Sequence, residues 1–152
     1  LSPIFIVFDE PTAALDVSIQ SQILNLMLDL KDNLSLTYLF ISHNLGIVKQ
    51  FCDDISVMYL GKIIESGPCK LVYQNPKHPY TQALLSSVPI SHPKEIKERI
   101  LLSGIIHSSE DMPSGCRFNT RCRYVQKICK ESEPQLIQTE PKHYVACHIF
   151  SR

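Results

Sequence analysis

The sequence predicts an α/β fold in which helices cover a parallel sheet, and three observations support this prediction. Five large apolar residues in a row, 4–8, are typical of a strand that is buried on both faces of such a sheet. Apolar residues then recur at helical spacing between residues 19 and 30. A second apolar run covers residues 36–41. Strand, crossover helix and strand in this order predict one parallel β-α-β unit.

An acidic pair, Asp9 and Glu10, closes the first predicted strand. Pro11 lacks the N–H group that would extend the ladder, so the strand is expected to stop there. In open α/β sheets, ligands bind at the carboxyl ends of the strands. Two acids beside an apolar core are costly unless a cation or hydrogen bonds compensate them. By itself the pair fits an acidic surface turn equally well.

A histidine reaches the same predicted edge, because Ser42, His43 and Asn44 follow the second strand. A single histidine in such a place is more often a structural hydrogen-bonding group than a catalyst. Asp16, before the predicted helix, fits an N-cap that accepts from free backbone N–H groups. Acidic pair, helix, strand and histidine in this order nevertheless form a specific constellation.

These segments resemble motifs of the ABC transporter ATPases, the nucleotide-driven subunits of membrane transporters, which have a P-loop (RecA-like) domain. Residues 4–10 are similar to the Walker B strand with its catalytic glutamate, residues 12–16 to the D-loop, and residues 41–43 to the switch-histidine loop. The resemblance implies that Asp9 organises the Mg²⁺ of bound ATP and that Glu10 polarises the attacking water. It further implies that His43 contacts the γ-phosphate and that Asp16 acts across a dimer of two such domains.

Other family motifs are missing from the chain. The sequence has neither the Gly-x-x-x-x-Gly-Lys-Ser/Thr phosphate loop nor the Leu-Ser-Gly-Gly-Gln signature, and it opens on Leu1 rather than Met. We therefore expect the carboxyl-terminal part of a longer ATPase that is inactive by itself. Residues 1–67 would be the end of the ATPase domain, and residues 68–152 an extension.

The start of this extension resembles the oligopeptide and dipeptide importer branch of the family. Residues 75–85 contain the His-Pro-Tyr sequence typical of that branch, at residues 78–80. Pro79 suits the first turn of a helix, where its missing N–H would have no partner. His78 and Tyr80 are expected to pack the extension onto the ATPase core, and residues 91–106 are expected to form a connector.

Four cysteines, Cys116, Cys122, Cys129 and Cys147, lie close together near the end of the chain. None of their separations is the two-residue spacing of zinc ribbons, so spacing leaves the ligand open. The reducing compartment of a nucleotide-driven motor disfavours disulfides, whereas four thiolates suit an iron–sulfur cluster or tetrahedral Zn²⁺.

This part of the chain resembles the cysteine-bearing tail of peptide importer ATPases. That resemblance implies a four-iron four-sulfur cluster, with Zn²⁺ or empty thiols as alternatives. The match departs from the usual pattern at Asn119-Thr120, where His-Pro is usual, and at Arg123, where Pro is usual. His143 and His148 are expected beside the metal ligands or at the surface.

Composition and motifs together favour an ATP-binding and ATP-hydrolysing subunit of a peptide importer. A hydrophobic content of 44% with 20% charged residues is ordinary for a globular protein, and the net charge of zero does not favour nucleic acid. The expected partners are membrane permeases, a second ATPase subunit and, indirectly, a substrate-binding protein, at the cytoplasmic face of the membrane. The alternatives are a stand-alone metal-binding adaptor and an ABC-type ATPase of a non-transport machine.

Overall fold

The computed structural model describes residues 2–88, 99–104 and 111–151. Most of the predicted connector, 91–106, therefore lies outside the described residues. The chain forms two compact units, Leu1–Cys52 and Asp53–Arg152. The predicted boundary after residue 67 does not coincide with the boundary of these compact units after Cys52. The predicted boundary stays a prediction. No described helix is long and apolar enough to cross a membrane.

The first unit is the predicted β-α-β arrangement followed by a short helix. Its elements are β1 (Phe5–Asp9), α1 (Val17–Leu34), β2 (Thr37–Ile41) and α2 (Leu45–Phe51). The two strands are parallel and in register from Phe5 opposite Thr37 to Asp9 opposite Ile41. Both strands therefore end at the same edge, and the mixed α/β architecture is confirmed.

One face of this two-stranded sheet is covered and the other is exposed. On the covered face Tyr38 donates from its hydroxyl to the carbonyl oxygen of Met27 in α1, at 3.0 Å, and stacks on Phe51 of α2. Both helices thus lie on one side. The exposed side chains on the other face are Phe5, Val7, Leu39 and Ile41, all 46–54% exposed. The prediction that the first strand is buried on both faces is wrong for this unit, because its helices form a single layer.

The second unit is an antiparallel sheet with short helices. Its elements are β3 (Asp54–Tyr59), β4 (Lys62–Pro68), α3 (Cys69–Gln74), α4 (Pro79–Ser86), α5 (Lys127–Glu131), β5 (Ile137–Glu140) and β6 (His143–Val145). The strand order is β3-β4-β6-β5. β3 and β4 form a hairpin that turns at Leu60 and Gly61. Leu60 and Gly61 both have positive φ, 44° and 76°, as a two-residue hairpin turn requires.

The core of the second unit joins the His-Pro-Tyr segment to the cysteine-bearing tail. Phe118, almost fully buried, lies 5.2 Å from the ring of Tyr59 and 5.5 Å from that of Tyr80. Its ring is also 5.6 Å from that of His78, which begins α4 as N-cap and accepts from the N–H of Tyr80 at 3.1 Å. His78 and Tyr80 therefore pack in the core of the second unit, and their role in joining an extension to an ATPase core stays a prediction.

Candidate active site at the edge of the parallel sheet

The site begins where β1 and β2 end side by side. Glu10, one residue past β1, still donates its N–H to the carbonyl oxygen of Ile41, at 2.9 Å. Its φ of 46° is in the left-handed region, which non-glycine residues rarely occupy. Residues in such a conformation cluster at functional sites. The backbone of Glu10 at this edge is therefore held in an unusual conformation.

Glu10 and His43 meet, as the sequence predicted. The imidazole Nδ1 of His43 lies 2.9 Å from Oε1 of Glu10, although the two residues are 33 positions apart. Both side chains are accessible, with exposed fractions of 74% for His43 and 48% for Glu10. A carboxylate held by an imidazole at an accessible edge can orient a water and accept its proton.

The loop that carries His43 is held by short polar contacts. The side-chain oxygen of Asn44 accepts from the N–H groups of Gly46 and Ile47, at 3.1 and 3.3 Å, and so caps α2. The hydroxyl of Ser42 accepts from the N–H of Asn44 at 3.0 Å. These bonds fix the chain on both sides of the histidine.

Asp9 and Asp16 take no part in the hydrogen bond between Glu10 and His43. Asp9 is the last residue of β1, and among the described residues its carboxylate has no hydrogen-bond partner. Asp16 is the N-cap of α1 by position, but its side chain makes no capping bond. The expectation that its carboxylate accepts from the helix N–H groups is therefore wrong. Gln20 holds this loop instead, by donating from Nε2 to the carbonyl oxygen of Thr12 at 2.7 Å.

The four tail cysteines are electrostatic neighbours. Burial raises the pKa of Cys147 to about 11, and the charges of the other three thiolates add to this rise. Burial also raises the pKa of Cys116 and of Cys122, again with a contribution from Cys129. Mutual effects of this kind require thiols that lie near one another.

Backbone packing brings two of these cysteines together. The N–H of Cys116 donates to the carbonyl oxygen of Cys129 at 2.8 Å. Gly115 makes this approach possible, since its φ is 70° and a Cβ there would lie 2.4 Å from the same oxygen. None of the six cysteines, all of which are described, forms a disulfide.

The thiols have the chemistry of a metal site but do not form a coordination shell in this structure. Within residues 2–88, 99–104 and 111–151, no three His, Cys, Asp or Glu side chains are arranged to hold a metal ion. The nearby Arg117 donates to Met112 Sδ and to the carbonyl oxygen of Leu60 rather than to a thiol. The donor type thus suits a metal or cluster, whereas the arrangement of the described sulfurs does not form a site for one.

A buried carboxylate, Glu65, is a feature that sequence reasoning missed. Its side chain is fully buried and accepts from the N–H groups of Lys77 and His78, at 2.7 and 2.9 Å. Nε2 of His143 lies 2.7 Å from the same carboxylate. The expectation that His143 is at the surface or beside metal ligands is wrong, because it is fully buried on β6 as the partner of Glu65. Its sequence neighbours carry no signal for this, since the pair spans 78 residues.

His148 does not bond to Glu65, and Glu140 holds the His-Pro-Tyr segment through a separate contact with Lys77. Nε2 of His148 is 2.9 Å from the carbonyl oxygen of Ser132. Lys77 donates from Nζ to Glu140 at 2.6 Å and lowers the pKa of that carboxyl. The His-Pro-Tyr segment is therefore held to β4 through Glu65 and to β5 through Glu140.

Comparison with known proteins shows which proteins the chain is similar to. Residues 64–129 match the family model described as Oligopeptide/dipeptide transporter, C-terminal region. The chain is 50% identical to the oligopeptide transport ATP-binding protein AppF of Bacillus subtilis (strain 168), over 99% of the chain and 46% of that protein. The chain is a homologue of the peptide-transport ATP-binding proteins.

A second peptide-transport ATP-binding protein gives the same result. The dipeptide transport ATP-binding protein DppF of Haemophilus influenzae is 47% identical over 98% of the chain and 46% of its own length. The chain thus spans less than half the length of these curated relatives. The edge that carries Glu10 and His43 and the segment that carries the His-Pro-Tyr sequence both lie within the shared part.

Proposed function

We propose that this chain is part of the ATP-hydrolysing subunit of an ABC importer that takes up peptides. The observation that carries the proposal is the contact between Glu10 and His43, 2.9 Å apart at the edge where β1 and β2 end. The peptide-transport ATP-binding proteins that it resembles carry ATP binding and peptide transport in their names. The proposal extends both properties to the complete subunit to which these residues belong.

The proposed roles follow from the chemistry of each group. Glu10 orients the attacking water and takes its proton, while His43 holds the carboxylate and reaches the γ-phosphate. Asp9, whose carboxylate lacks a described hydrogen-bond partner, has hard oxygens free to hold Mg²⁺ or its waters. Bound Mg²⁺ would offset the charge of the phosphates. Asp16, exposed and not engaged in capping, is assigned to the interface with a second ATPase domain.

The proposed test replaces Glu10 with Gln in the complete subunit. E10Q keeps the size of the side chain and removes its basicity, so ATP binding should persist while hydrolysis falls by about 100-fold or more. E133Q serves as the matched control, because Glu133 is an exposed carboxylate of the second unit that pairs with Lys62. Near-normal turnover in E10Q would refute the proposal.

The proposed setting is the cytoplasmic face of the membrane, in contact with permease subunits and with a second ATP-binding subunit. Residues 1–67 would belong to a P-loop (RecA-like) ATPase domain, and residues 68–152 to the extension typical of peptide importers. A substrate-binding protein would act through the permeases. Peptide uptake by cells that carry H43A in the complete subunit should stop, whereas uptake with E133Q should continue.

For the tail we propose a four-iron four-sulfur cluster held by Cys116, Cys122, Cys129 and Cys147, with Zn²⁺ as the alternative. The support is the presence of four thiol donors in one tail, two of them joined where the N–H of Cys116 donates to the carbonyl oxygen of Cys129, and the raised pKa of Cys116, Cys122 and Cys147, to which neighbouring thiols contribute. Analysis of iron and acid-labile sulfide in anaerobically prepared protein tests this. C116S should lose the iron, and C52S, outside the group, should keep it. Zinc in place of iron would establish the alternative, and metal-free protein would refute both.

A further inference from the structure

We propose that a cleft between α4 and residues 99–102 binds a small carboxylate that has an apolar body. The cleft has a volume of about 310 Å³, near the lower end of the range for small-molecule sites. All of its lining residues belong to the second unit. Its lining consists of Tyr80, Ala83, Leu84, Ser87, the stretch 99–102, and Arg121.

The wall formed by residues 99–104 is anchored at both ends. Near its start, the N–H of Ile100 donates to the hydroxyl of Ser86 in α4 at 3.0 Å. At its far end, Gly104 adopts a φ of 97°, and a Cβ there would lie 2.6 Å from the carbonyl oxygen of Thr120. The stretch is therefore tied to α4 near its start and packed against the backbone of Thr120 at its far end.

Two guanidinium groups give the cleft its charge. Arg99 is exposed at the rim, and Arg121 is half-buried in the wall. Nε of Arg121 is buried and has no hydrogen-bond partner. Its positive charge also acts on the neighbouring Tyr80, whose pKa is raised by burial and lowered in part by this guanidinium. Since the described lining contains no acidic residue, the positive charge of the two guanidinium groups favours the binding of an anion.

The remaining lining selects the rest of the ligand. Most of the lining is aliphatic, from Ala83, Leu84, Ile100 and Leu102. A highly charged anion would lose hydrating water there without gaining hydrogen bonds in its place. A carboxylate pairs with the fork of a guanidinium in a bidentate manner, and an attached apolar chain can lie against the aliphatic residues. The chemistry therefore favours an amphipathic monocarboxylate over inorganic phosphate or a cation.

Titration of the purified chain with octanoate tests the proposal, with octylammonium and inorganic phosphate as matched probes of charge and of apolar body. Octanoate should perturb the backbone amide resonances of Ser87, Ile100 and Arg121, and neither matched probe should do so. R121M should weaken octanoate binding by at least about tenfold, because a charge-assisted hydrogen bond is lost. K49M, which removes an exposed charge in the first unit, should leave it unchanged.

R99M removes the other guanidinium group of the cleft. Because Arg99 is exposed, this variant should fold and can test the proposal if R121M does not fold. Weakened octanoate binding in R99M supports the proposal, and unchanged binding in R99M contradicts it. Equal binding of phosphate, equal binding of octylammonium, or an equal loss of octanoate affinity in K49M would also overturn it.

Discussion

At the scale of single residues, the buried side chain of His78 makes the free energy of unfolding depend on pH. Burial lowers the pKa of His78 from 6.5 to about 4. Between these two values the unfolded chain binds a proton that the folded chain does not. The free energy of unfolding contributed by neutral His78 is therefore complete above pH 6.5 and is lost as the pH falls toward 4.

We predict that the free energy of unfolding falls by about 3 kcal/mol between pH 6.5 and pH 4 because of His78. H78N is the matched control, since Asn is also a good N-cap acceptor for α4 but does not titrate. Glu140, with its lowered pKa, contributes in both proteins and cancels in the comparison. Denaturant unfolding at a series of pH values measures the effect, and an equal pH slope in H78N would contradict it.

A second residue-scale prediction concerns the carboxylate of Glu65. Both of its oxygens accept from backbone N–H groups, so the amide nitrogen of Gln would face a buried donor in either orientation. E65Q should therefore lower the free energy of unfolding by about 3 kcal/mol. E133Q removes an exposed carboxylate and should cost less than about 1 kcal/mol. Chemical denaturation compares the two variants, and equal stabilities would show that Glu65 is not a structural anchor.

Residue patterns indicated Glu10 and His43 but not Glu65 and His143. The first pair was predictable because each residue directly follows an apolar run, and the ends of parallel strands share an edge. Glu65 sits inside a strand, and its partner lies 78 residues away on a strand of three residues. No local pattern marks such a pair, because its position depends on antiparallel pairing across the chain.

At the scale of elements, helices and strands with strong local signals were predicted well. The second apolar run, residues 36–41, contains β2 (Thr37–Ile41), and α4 begins at Pro79 as expected. The strands β5 and β6 were not predicted, since four and three residues hold too little periodicity. They exist because β6 pairs with β4, which the sequence alone does not reveal.

The turn at Gly115 gives a test at this scale. Gly115 and Gly61 have similar positive φ values, 70° and 76°, but a Cβ at Gly115 would meet a carbonyl oxygen at 2.4 Å, whereas one at Gly61 meets only Arg117 Nη1 at 3.6 Å. G115A and G61A should therefore share a strain of about 1 kcal/mol, and G115A should lose about 2 kcal/mol more. Thermal unfolding measures both. Equal losses would mean that the packing of Gly115 against Cys129 is unimportant.

At the scale of the whole molecule, this stretch would supply only part of the proposed nucleotide site. The chain spans 46% of the length of AppF and contains no glycine-rich phosphate loop. The exposed apolar face of β1 and β2 also lacks a cover among the described residues. An uncovered apolar face of this kind favours association between chains.

We predict that these 152 residues alone do not bind ATP with micromolar affinity, because backbone N–H groups and a lysine around the phosphates supply most of that affinity. A calorimetric titration with Mg²⁺ and ATP measures this. The complete subunit, titrated in the same way, is the control. Micromolar binding by the stretch alone would contradict the prediction.

We propose that Glu10 and His43 act together in cleaving the γ-phosphate of ATP. Single-turnover ATP hydrolysis by the complete subunit, measured for E10Q, H43A and the double variant, tests it most directly. Residues that act as a unit are strongly non-additive, so the double variant should be no slower than the slower single variant. A double variant slowed by the product of the two single effects would show that the two residues act independently.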